Sequence, residues 1–427
     1  MSILENQSRD FRIQIEPIFE MLTHKKKELK RVEWEALVRK TEQGILNSPN
    51  QYLVDIPGNL DLIIHYLFNQ FLNQFDVIII GGGQSGLAVG YYLRRTGLSF
   101  IILDQESEPS GSWQHMWQSL HLFSPAQWSS LPGIIMKGGS DYYPTRDEAI
   151  EYIKNYENKY NLPVKRPMKV LRVQRERGLF VVETPGDVYY SKALVSATGS
   201  YGNPFIPDVP GVKQFKGKVI HSSQYYSVEE FKNMRVAIVG EGNSGAQILA
   251  EVSEVSRTVW ITSKEPRFLA DNIDGRYLFD AASQVYEAKL KGKTYHPPSL
   301  GDIVMVPAVK EARERGVLQA SLRPFQNLSP NSLIWNDGHT ETVDAVIFCT
   351  GFKPSLDHLS ALNVLNSDGR VSTEGTRATN LENLSLVGYG NWTGFASATL
   401  IGVGRSAKQT VEEIVRQLDA KAHGNNG

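Results

Sequence analysis

The sequence predicts an α/β protein with two parallel-sheet units and a helical extension at its N-terminus. From Phe75 onward, short apolar runs rich in β-branched residues alternate with amphipathic segments, as at 77–80 and 235–239. The pattern Gly-x-Gly-x-x-Gly follows such a run twice. Residues 1–73 instead carry apolar residues at helical spacing. The strand-rich body therefore begins near residue 74.

Composition excludes several classes of protein. The chain has 427 residues, a formal net charge of −1 and one cysteine. A single cysteine excludes a disulfide framework and a Cys-x-x-Cys redox pair, and no metal site is expected. The balanced charge gives no sign of nucleic-acid binding. No apolar run reaches the roughly 18 residues of a membrane span, and the charged N-terminus does not resemble a signal peptide. We expect a cytoplasmic protein.

The extension over residues 1–73 is expected to pack on the body or on a second subunit. In the second case the protein would be a homodimer through this segment. Its basic run, Lys25 to Arg31, leaves a membrane-surface or regulatory role open as the alternative.

Each glycine motif has the context of a dinucleotide-binding, Rossmann-like fold, with a strand-like run before it and a helix-like segment after it. The first glycine permits a tight turn, the second lets a pyrophosphate approach the backbone, and the third lets helix and strand pack closely. The helix N-terminus offers N–H groups and partial positive charge to the phosphates. The glycines are Gly81, Gly83 and Gly86 in the first motif and Gly240, Gly242 and Gly245 in the second.

The residues after the next strand differ between the two motifs. SFIILD ends in Asp104, near the spacing of about 20 residues expected of the acid that holds a ribose 2′-hydroxyl. TVWIT is followed by Ser263 and Lys264 and preceded by Arg257. Hydroxyl and cationic groups there favour a 2′-phosphate, hence NADP over NAD. Surface cations are common, so NADH remains an alternative.

Two such sites predict one FAD and one nicotinamide dinucleotide. Cys349 lies in the apolar run AVIFCTG and is expected to be an inert core residue. Without a cysteine pair, electrons must leave the flavin to oxygen or to an external acceptor. The expected domains are the extension (1–73), the first part of an FAD domain (74–209), an NADP domain (210–343), and the second part of the FAD domain with a C-terminal helix (344–427).

Further motifs resemble the flavin-containing monooxygenase family. FKGKVIHSSQY fits its signature Phe-x-Gly-x-x-x-His-x-x-x-Tyr, with His221 and Tyr225 at the last two fixed positions. Ala197 to Gly199 resembles the family's Ala-Thr-Gly linker, IFCTGFKPS its second threonine–glycine strand end, and PSGSWQHMW its Gly-x-Trp segment beside the flavin. The resemblance covers about residues 75 to 418.

WQSLHLFSPAQWSSLPG and VGYGNWTGFASATLIGVGR are similar to the flavin monooxygenases encoded in bacterial arsenic-resistance operons. One departure stands out, since an asparagine that many family members keep near the flavin is Phe123 here.

The resemblance implies that NADPH reduces FAD, that reduced FAD and oxygen form a C4a-hydroperoxide, and that one oxygen atom passes to a nitrogen, sulfur or arsenic lone pair of a small molecule. The enzymatic alternative is a reductase or oxidase that passes electrons to an external acceptor or O2. A flavin-binding redox sensor that uses the extension is the non-enzymatic alternative.

The resemblance and the motifs together give candidate site residues. Asn391 is a candidate hydrogen-bond donor to the ribityl chain, and the helix predicted to open near Trp392 to Gly394 would face the flavin ring. His221 is expected to be structural, with a proton shuttle as the alternative. The FAD residues are Gly81, Gly83, Gln84, Ser85, Gly86, Asp104, Gln105, Trp113, Ala197, Thr198, Gly199, Gly351, Gly390, Asn391 and Thr393. The NADP residues are Gly240, Gly242, Asn243, Ser244, Gly245, Arg257, Ser263 and Lys264. The substrate pocket is expected at Phe123, Trp128 and Trp392.

Overall fold

The computed structural model describes residues 73–424 apart from 294–301, 319–321 and a set of positions between 272 and 290. The predicted extension, with its basic run and dimer contact, lies outside the described residues except for Asn73. The chain divides into two units, residues 1–74 with 187–189 and residues 75–186 with 190–427. In the first, Asn73 Nδ2 donates to the Val188 carbonyl oxygen at 3.2 Å. The strands and helices given below lie in the second, except that one strand begins at Gln74 and another at Val188.

The strands and helices of the described residues follow the predicted alternation. The strands are β1 (Gln74–Ile80), β2 (Phe100–Leu103), β3 (Val164–Lys165), β4 (Arg172–Glu176), β5 (Leu179–Glu183), β6 (Val188–Ser196), β7 (Lys218–His221), β8 (Arg235–Val239), β9 (Arg257–Ile261), β10 (Asn327–Leu328), β11 (Ser332–Ile334), β12 (Thr340–Thr342), β13 (Ala345–Phe348), β14 (Thr373–Glu374), β15 (Arg377–Ala378) and β16 (Leu384–Leu386). The α-helices are α1 (Gln84–Leu93), α2 (Arg146–Tyr160), α3 (Asn243–Val255), α4 (Pro307–Glu314) and α5 (Leu400–Gly424).

The first sheet has the strand order β14-β15-β16-β6-β1-β2-β3, and the β4–β5 hairpin joins it through β5. β1 and β2 pair in parallel, with Val77 opposite Phe100. Residues 77–80 are buried, Val77 and Ile79 share a core cluster with residues of α1 and α5, and α1 packs along α5. A strand covered on both faces needs the unbroken apolar run that the sequence shows.

The second sheet is parallel throughout, in the order β7-β13-β8-β9. β13 lies at its centre, between β7 and β8, so this sheet extends beyond residue 343. The predicted domain boundary at 343/344 therefore lies one strand too early, because the run 345–348 completes this sheet and the chain returns to the first sheet only afterwards. β10, β11 and β12 form a separate antiparallel sheet.

The starts of two helices show how local sequence sets an element boundary. Thr145 is the N-cap of α2: its hydroxyl accepts the Glu148 N–H, and the Glu148 carboxylate accepts the Thr145 N–H at 2.8 Å. The predicted opening of the last helix near Trp392 was wrong, because α5 begins at Leu400. Gly394 has φ +127° and Ala396 has φ +58°, and neither value continues a right-handed helix.

One carboxylate connects the segment that follows β2 of the first sheet to a helix of the second sheet. Glu251, on α3, accepts hydrogen bonds from Trp117 Nε1 at 3.1 Å, from the Ser119 hydroxyl at 2.6 Å and from the Tyr225 hydroxyl at 2.9 Å. Trp117 is the last residue of the Gly-x-Trp segment PSGSWQHMW, and its ring is buried in the core beside α3. Glu251 therefore fixes the segment after β2 against the second sheet.

We expect Glu251→Ala to lower the thermal unfolding midpoint of the holoenzyme by roughly 5 °C. The substitution leaves the buried Trp117 N–H and Tyr225 O–H without their acceptor. Glu254→Ala, three positions on and exposed, is the matched control and should change the midpoint little. Equal shifts in the two variants would contradict the assignment.

Candidate active site

The first glycine loop is closed between two strand ends. The Gly81 N–H donates to the Leu103 carbonyl oxygen and the Ala197 N–H to the Ile80 carbonyl oxygen, both at 2.8 Å. Gly81 has φ +105°, and a Cβ there would lie 2.6 Å from the Ala197 carbonyl oxygen. Only glycine fits, so the loop stays flat and the start of α1 remains open to an anion.

Asp104 lies directly beside this loop and is 3% exposed. Its Oδ2 accepts a hydrogen bond from Arg166 Nε at 2.7 Å. Arg166 in turn donates to both carboxylate oxygens of Glu157, at 2.6 and 2.8 Å. A Cβ at Gly82 would meet Asp104 Oδ2 at 2.6 Å. The carboxylate thus presses against the loop from the strand side.

The sequence interpretation missed Arg166 and Glu157, because neither belongs to a motif. Burial raises the pKa of Asp104, while Arg166 and backbone N–H groups, including that of Gly82, act to lower it. Glu157 holds Arg166 from its other side. Arg166 is therefore the cation that supports an ionised Asp104 in a buried position.

The Gly-x-Trp segment folds over the same loop. Trp113 Nε1 donates to Gln84 Oε1 at 3.0 Å, and Gln84 Nε2 donates to the Ala398 carbonyl oxygen at 2.6 Å. A Cβ at Gly111 would lie 2.8 Å from Gly83 Cα. The neighbouring Ser110 hydroxyl is buried and has no hydrogen-bond partner among the described residues. An unpaired buried hydroxyl beside an open glycine loop is consistent with a polar ligand there.

A buried polar network links β6 to the C-terminal segment. The Tyr389 hydroxyl lies 2.6 Å from Ser196 Oγ and 2.7 Å from Thr198 Oγ1, and it accepts the Thr198 N–H at 3.2 Å. Ser196 Oγ also lies 3.1 Å from His358 Nε2. Thr393 Oγ1 accepts the Tyr389 N–H at 3.1 Å. The network holds the Ala-Thr-Gly linker against the segment that begins at residue 389.

The other proposed FAD residues have diverse surroundings. Ser85 is buried, and a Cβ at Gly388 would collide with its hydroxyl. Asn391 and Gln105 are exposed. Gly351 lies after β13, accepts a hydrogen bond from His221 (below) and lines the cavity of the second glycine loop rather than the first.

These residues fit a flavin dinucleotide. The loop offers the flat backbone and the open helix N-terminus that a pyrophosphate needs. Asp104 offers the carboxylate that a ribose needs. We therefore propose this loop as the FAD site, with Asp104 toward the adenosine ribose.

The second glycine loop opens on a cavity of about 540 Å³, a volume suited to a nucleotide. Gly240 lies so close to Cys349 that a Cβ would collide with the Cys349 carbonyl oxygen. The residues at the loop and at the end of β9 line the cavity together with the strand end at 349–351. They include Gly240, Glu241, Gly242, Ser263, Lys264, Glu265, Arg267 and Asp302. The lining fits a nicotinamide dinucleotide.

Arg257 does not reach this cavity. It is the first residue of β9, whereas Ser263 and Lys264 follow the last one, and the strand separates them by roughly 15 Å at about 3.3 Å per residue. The proposal of Arg257 as a 2′-phosphate ligand was therefore wrong. Asn243 is also occupied: Asn243 Oδ1 accepts the Val304 N–H at 2.8 Å and Nδ2 donates to the Asp302 carbonyl oxygen at 3.2 Å. Ser244 is partly buried in the first turn of α3.

His221 ties the signature segment to the end of β13. Its Nδ1 accepts the Ser223 N–H at 3.1 Å, so its Nε2 carries the hydrogen and donates to the Gly351 carbonyl oxygen at 3.0 Å. Burial lowers the pKa of His221. The side chain is fully buried and neutral, as a structural role requires, and both ring nitrogens are engaged.

The proposed pocket residues lie in separate turns. Trp128 is partly buried, and the Arg276 guanidinium lies 5.7 Å from its ring centroid. Trp392 packs beside Tyr389, with ring centroids 5.5 Å apart. Phe123 is partly buried. A shared substrate pocket formed by these three rings stays a prediction.

No described helix has the length and apolar character needed to cross a bilayer. Among the described residues, no group of three His, Cys, Asp or Glu side chains is placed to bind a metal ion.

Comparison with known proteins identifies the family. Residues 78–284 match the family model described as pyridine nucleotide-disulphide oxidoreductase. The oxidoreductase CzcO of Bacillus subtilis is 30% identical over 351 residues, which are 82% of this chain and 100% of that protein. A flavin-containing monooxygenase from Stenotrophomonas maltophilia is 47% identical, with a TM-score of 0.74 over 81% of this chain and 99% of that one. A rice indole-3-pyruvate monooxygenase, YUCCA8, is 25% identical over 79% of this chain and 90% of its own length.

Fold and site define an oxidoreductase with two dinucleotide-binding loops. The chain belongs to this flavin-dependent oxidoreductase family, and within it the chain is a flavin monooxygenase. Its cofactors are FAD and NADPH. The family's description mentions disulphide chemistry. This chain has no cysteine pair to carry it out, since the whole chain has one cysteine.

Replacing Arg166 with glutamine should weaken FAD binding at least about tenfold, because it leaves Asp104 buried without its cation. Fluorescence titration of the deflavinated protein with FAD gives the dissociation constant. Arg166→Lys, which keeps the charge, should retain part of the affinity. Arg172→Gln, at an exposed arginine, is the control. Unchanged affinity in Arg166→Gln would contradict the role given to this residue.

His358 predicts a specific pH dependence of stability. Burial lowers the pKa of His358 to about 4, against about 6.5 in the unfolded chain. Between these values the unfolded state binds the proton more tightly, so the free energy of unfolding falls as pH drops from 6.5 to 4, by about 3 kcal/mol from this group. Above pH 6.5 the contribution is constant.

The measurement is the free energy of unfolding from urea titrations at several pH values. His358→Asn should lose stability less steeply than the wild type between pH 6.5 and 4. His339→Asn, at an exposed histidine, should keep the wild-type slope. An unchanged slope in His358→Asn would show that another group is responsible.

Proposed function

We propose that this flavin monooxygenase oxidises NADPH and transfers one oxygen atom to a soft nucleophile of a small molecule, a nitrogen, sulfur or arsenic lone pair. The oxidant would be the C4a-hydroperoxyflavin that the family resemblance implies, so the bound cofactors supply the redox chemistry. The observation that carries the proposal is the pair of glycine loops, one beside the buried Asp104 and one opening on a nucleotide-sized cavity, in a chain with one cysteine.

The single cysteine supports oxygen as the outlet for electrons. Cys349 is 9% exposed, and burial raises the pKa of its thiol to about 12. At neutral pH it is therefore a protonated thiol and a poor nucleophile. A relay through a disulfide, the route of thiol reductases, needs a second cysteine that this sequence lacks.

The protein's own residues bind, orient and shield. Gly81 and Gly83 would hold the flavin pyrophosphate, and Asp104 the ribose. Trp113 is held in place by Gln84, which is itself bonded to the carbonyl oxygen of Ala398. These three residues close one side of the first loop and would limit its access to water.

Arsenic remains within the proposed substrate range only under one condition. Trivalent arsenic binds best to paired thiolates, and one buried cysteine cannot provide a pair. Such a substrate would have to be held by shape, by hydrogen bonds or by water, and thioethers and tertiary amines would then compete for the same site.

The runner-up is an oxidase that releases hydrogen peroxide, and Phe123 favours it. A phenyl ring cannot offer the amide hydrogen bonds that an asparagine gives at the position implied by the resemblance. In that case NADPH oxidation would be independent of the nucleophile added.

The deciding experiment measures hydrogen peroxide formed per NADPH consumed, with and without a thioether, a tertiary amine or arsenite, under labelled oxygen gas. We expect one nucleophile to lower the peroxide yield and to gain one labelled oxygen atom. Phe123→Asn should lower the basal peroxide yield, and Leu171→Asn, at an exposed apolar residue outside the cavity, is the control. One peroxide per NADPH with every nucleophile would establish the oxidase instead.

A further inference from the structure

We propose that Glu241 determines coenzyme choice: its carboxylate takes the adenosine ribose hydroxyls of NADH and opposes the 2′-phosphate of NADPH, so that the enzyme uses both. The inference rests on the proposed nicotinamide dinucleotide site at the second glycine loop. It makes Glu241 a specificity-determining residue, which no motif in the sequence indicates.

The Glu241 carboxylate lies beside the residue that follows the end of β9 by two positions, Ser263. Glu241 lies between Gly240 and Gly242, and its side chain turns toward the end of β9. Its Oε1 accepts the Ser263 hydroxyl at 2.7 Å, and its Oε2 accepts the Ser263 N–H at 3.1 Å. Two hydrogen bonds to one residue fix the orientation of the carboxylate. It therefore lies at the strand end where the adenosine ribose of a bound dinucleotide is expected.

The first glycine loop provides an internal comparison. Gly82 occupies there the place that Glu241 occupies in the second loop, the position between the first two glycines. Asp104, from the end of β2, fills the space beside it, since a Cβ at Gly82 would lie 2.6 Å from Asp104 Oδ2. In the second loop the strand end carries Ser263 and the loop carries the acid. Each site thus has one carboxylate between loop and strand end, supplied from opposite sides.

The chemistry of that position follows from the general rule for these folds. A carboxylate at the strand end hydrogen-bonds the ribose 2′-hydroxyl, whereas a 2′-phosphate needs cationic groups. Ser263 and Lys264 alone predicted a 2′-phosphate site. Ser263 donates both its hydrogen bonds to Glu241 and is therefore not available to a phosphate. The Glu241 carboxylate supplies the acidic group that the end of β9 lacks.

The charge of the cavity agrees with this reading. Of the described residues that line it, two are cations, Lys264 and Arg267, and three are carboxylates, Glu241, Glu265 and Asp302. Arg267 Nε lies 3.3 Å from Asp302 Oδ1, so its charge is already compensated. A 2′-phosphate would bring roughly two further negative charges, with Lys264 beside it and Glu241 opposing it.

The test compares NADH with NADPH in steady-state kinetics and compares 5′-AMP with 2′,5′-ADP in direct binding by calorimetry. We expect Glu241→Gln to lower kcat/KM for NADH about tenfold, and to raise the NADPH to NADH ratio of kcat/KM by more than that. The affinity for 2′,5′-ADP should rise and that for 5′-AMP should fall.

Two further variants separate selectivity from structure. Glu254→Gln removes an exposed carboxylate of α3 that does not line the cavity, and it should leave NADH kinetics unchanged. Ser263→Ala loosens Glu241 and should shift the coenzyme ratio in the same direction by a smaller factor.

Equal losses for both coenzymes in Glu241→Gln would show a merely structural role and overturn the assignment, as would a coenzyme ratio that matches that of Glu254→Gln. If the wild type binds neither 5′-AMP nor 2′,5′-ADP, the proposed nicotinamide dinucleotide site at the second loop is wrong. This outcome is distinguishable from a failure of the FAD site, because the FAD titration would be unaffected.

Discussion

Both sheets depend on one close approach, that of a helix N-terminus to the carbonyl group of the glycine that ends the preceding strand. A Cβ at Gly86 would collide with the Gly81 carbonyl oxygen, and one at Gly245 with that of Gly240. Because each helix is held this close, its first N–H groups meet the carboxyl edge of its sheet, where dinucleotide phosphates bind. The strand ends that carry the other site residues lie at the same edge of each sheet. The position of each glycine loop therefore determines where its site forms.

Buried charge concentrates at the joints around these loops. Asp104, Arg166 and Glu157 form a chain of ion pairs in which the arginine serves two carboxylates. Glu251 accepts three hydrogen bonds from groups of separate segments. Buried ions cost desolvation energy that apolar residues would avoid. In this protein the buried ions orient the chain, because each one fixes a segment that would otherwise be held only by packing.

Local patterns could be predicted from the sequence, and long-range ones could not. The glycine loops, the buried strands and the Thr145 cap depend on residues a few positions apart. Arg166 pairs with Asp104 across 62 positions, and no spacing rule connects them. The last helix was predicted too early because the left-handed backbone of Ala396 leaves no signal in a helix-like composition. The direction of the Glu241 side chain is likewise visible only once β9 lies beside the loop.

The two glycine loops are a general scaffold for bound cofactors. The groups around them, including a cysteine pair where one is present, determine where the electrons go. A single protonated thiol at Cys349 removes the disulfide route that the same architecture offers elsewhere. Oxygen then competes with any acceptor that reaches the flavin. Since Ser85 packs against Gly388 and Gln84 bonds to Ala398, the C-terminal segment closes on the first helix. The C-terminal segment therefore bounds the first glycine loop, and in the proposed mechanism the bound cofactors, rather than a protein nucleophile, carry out the oxidation.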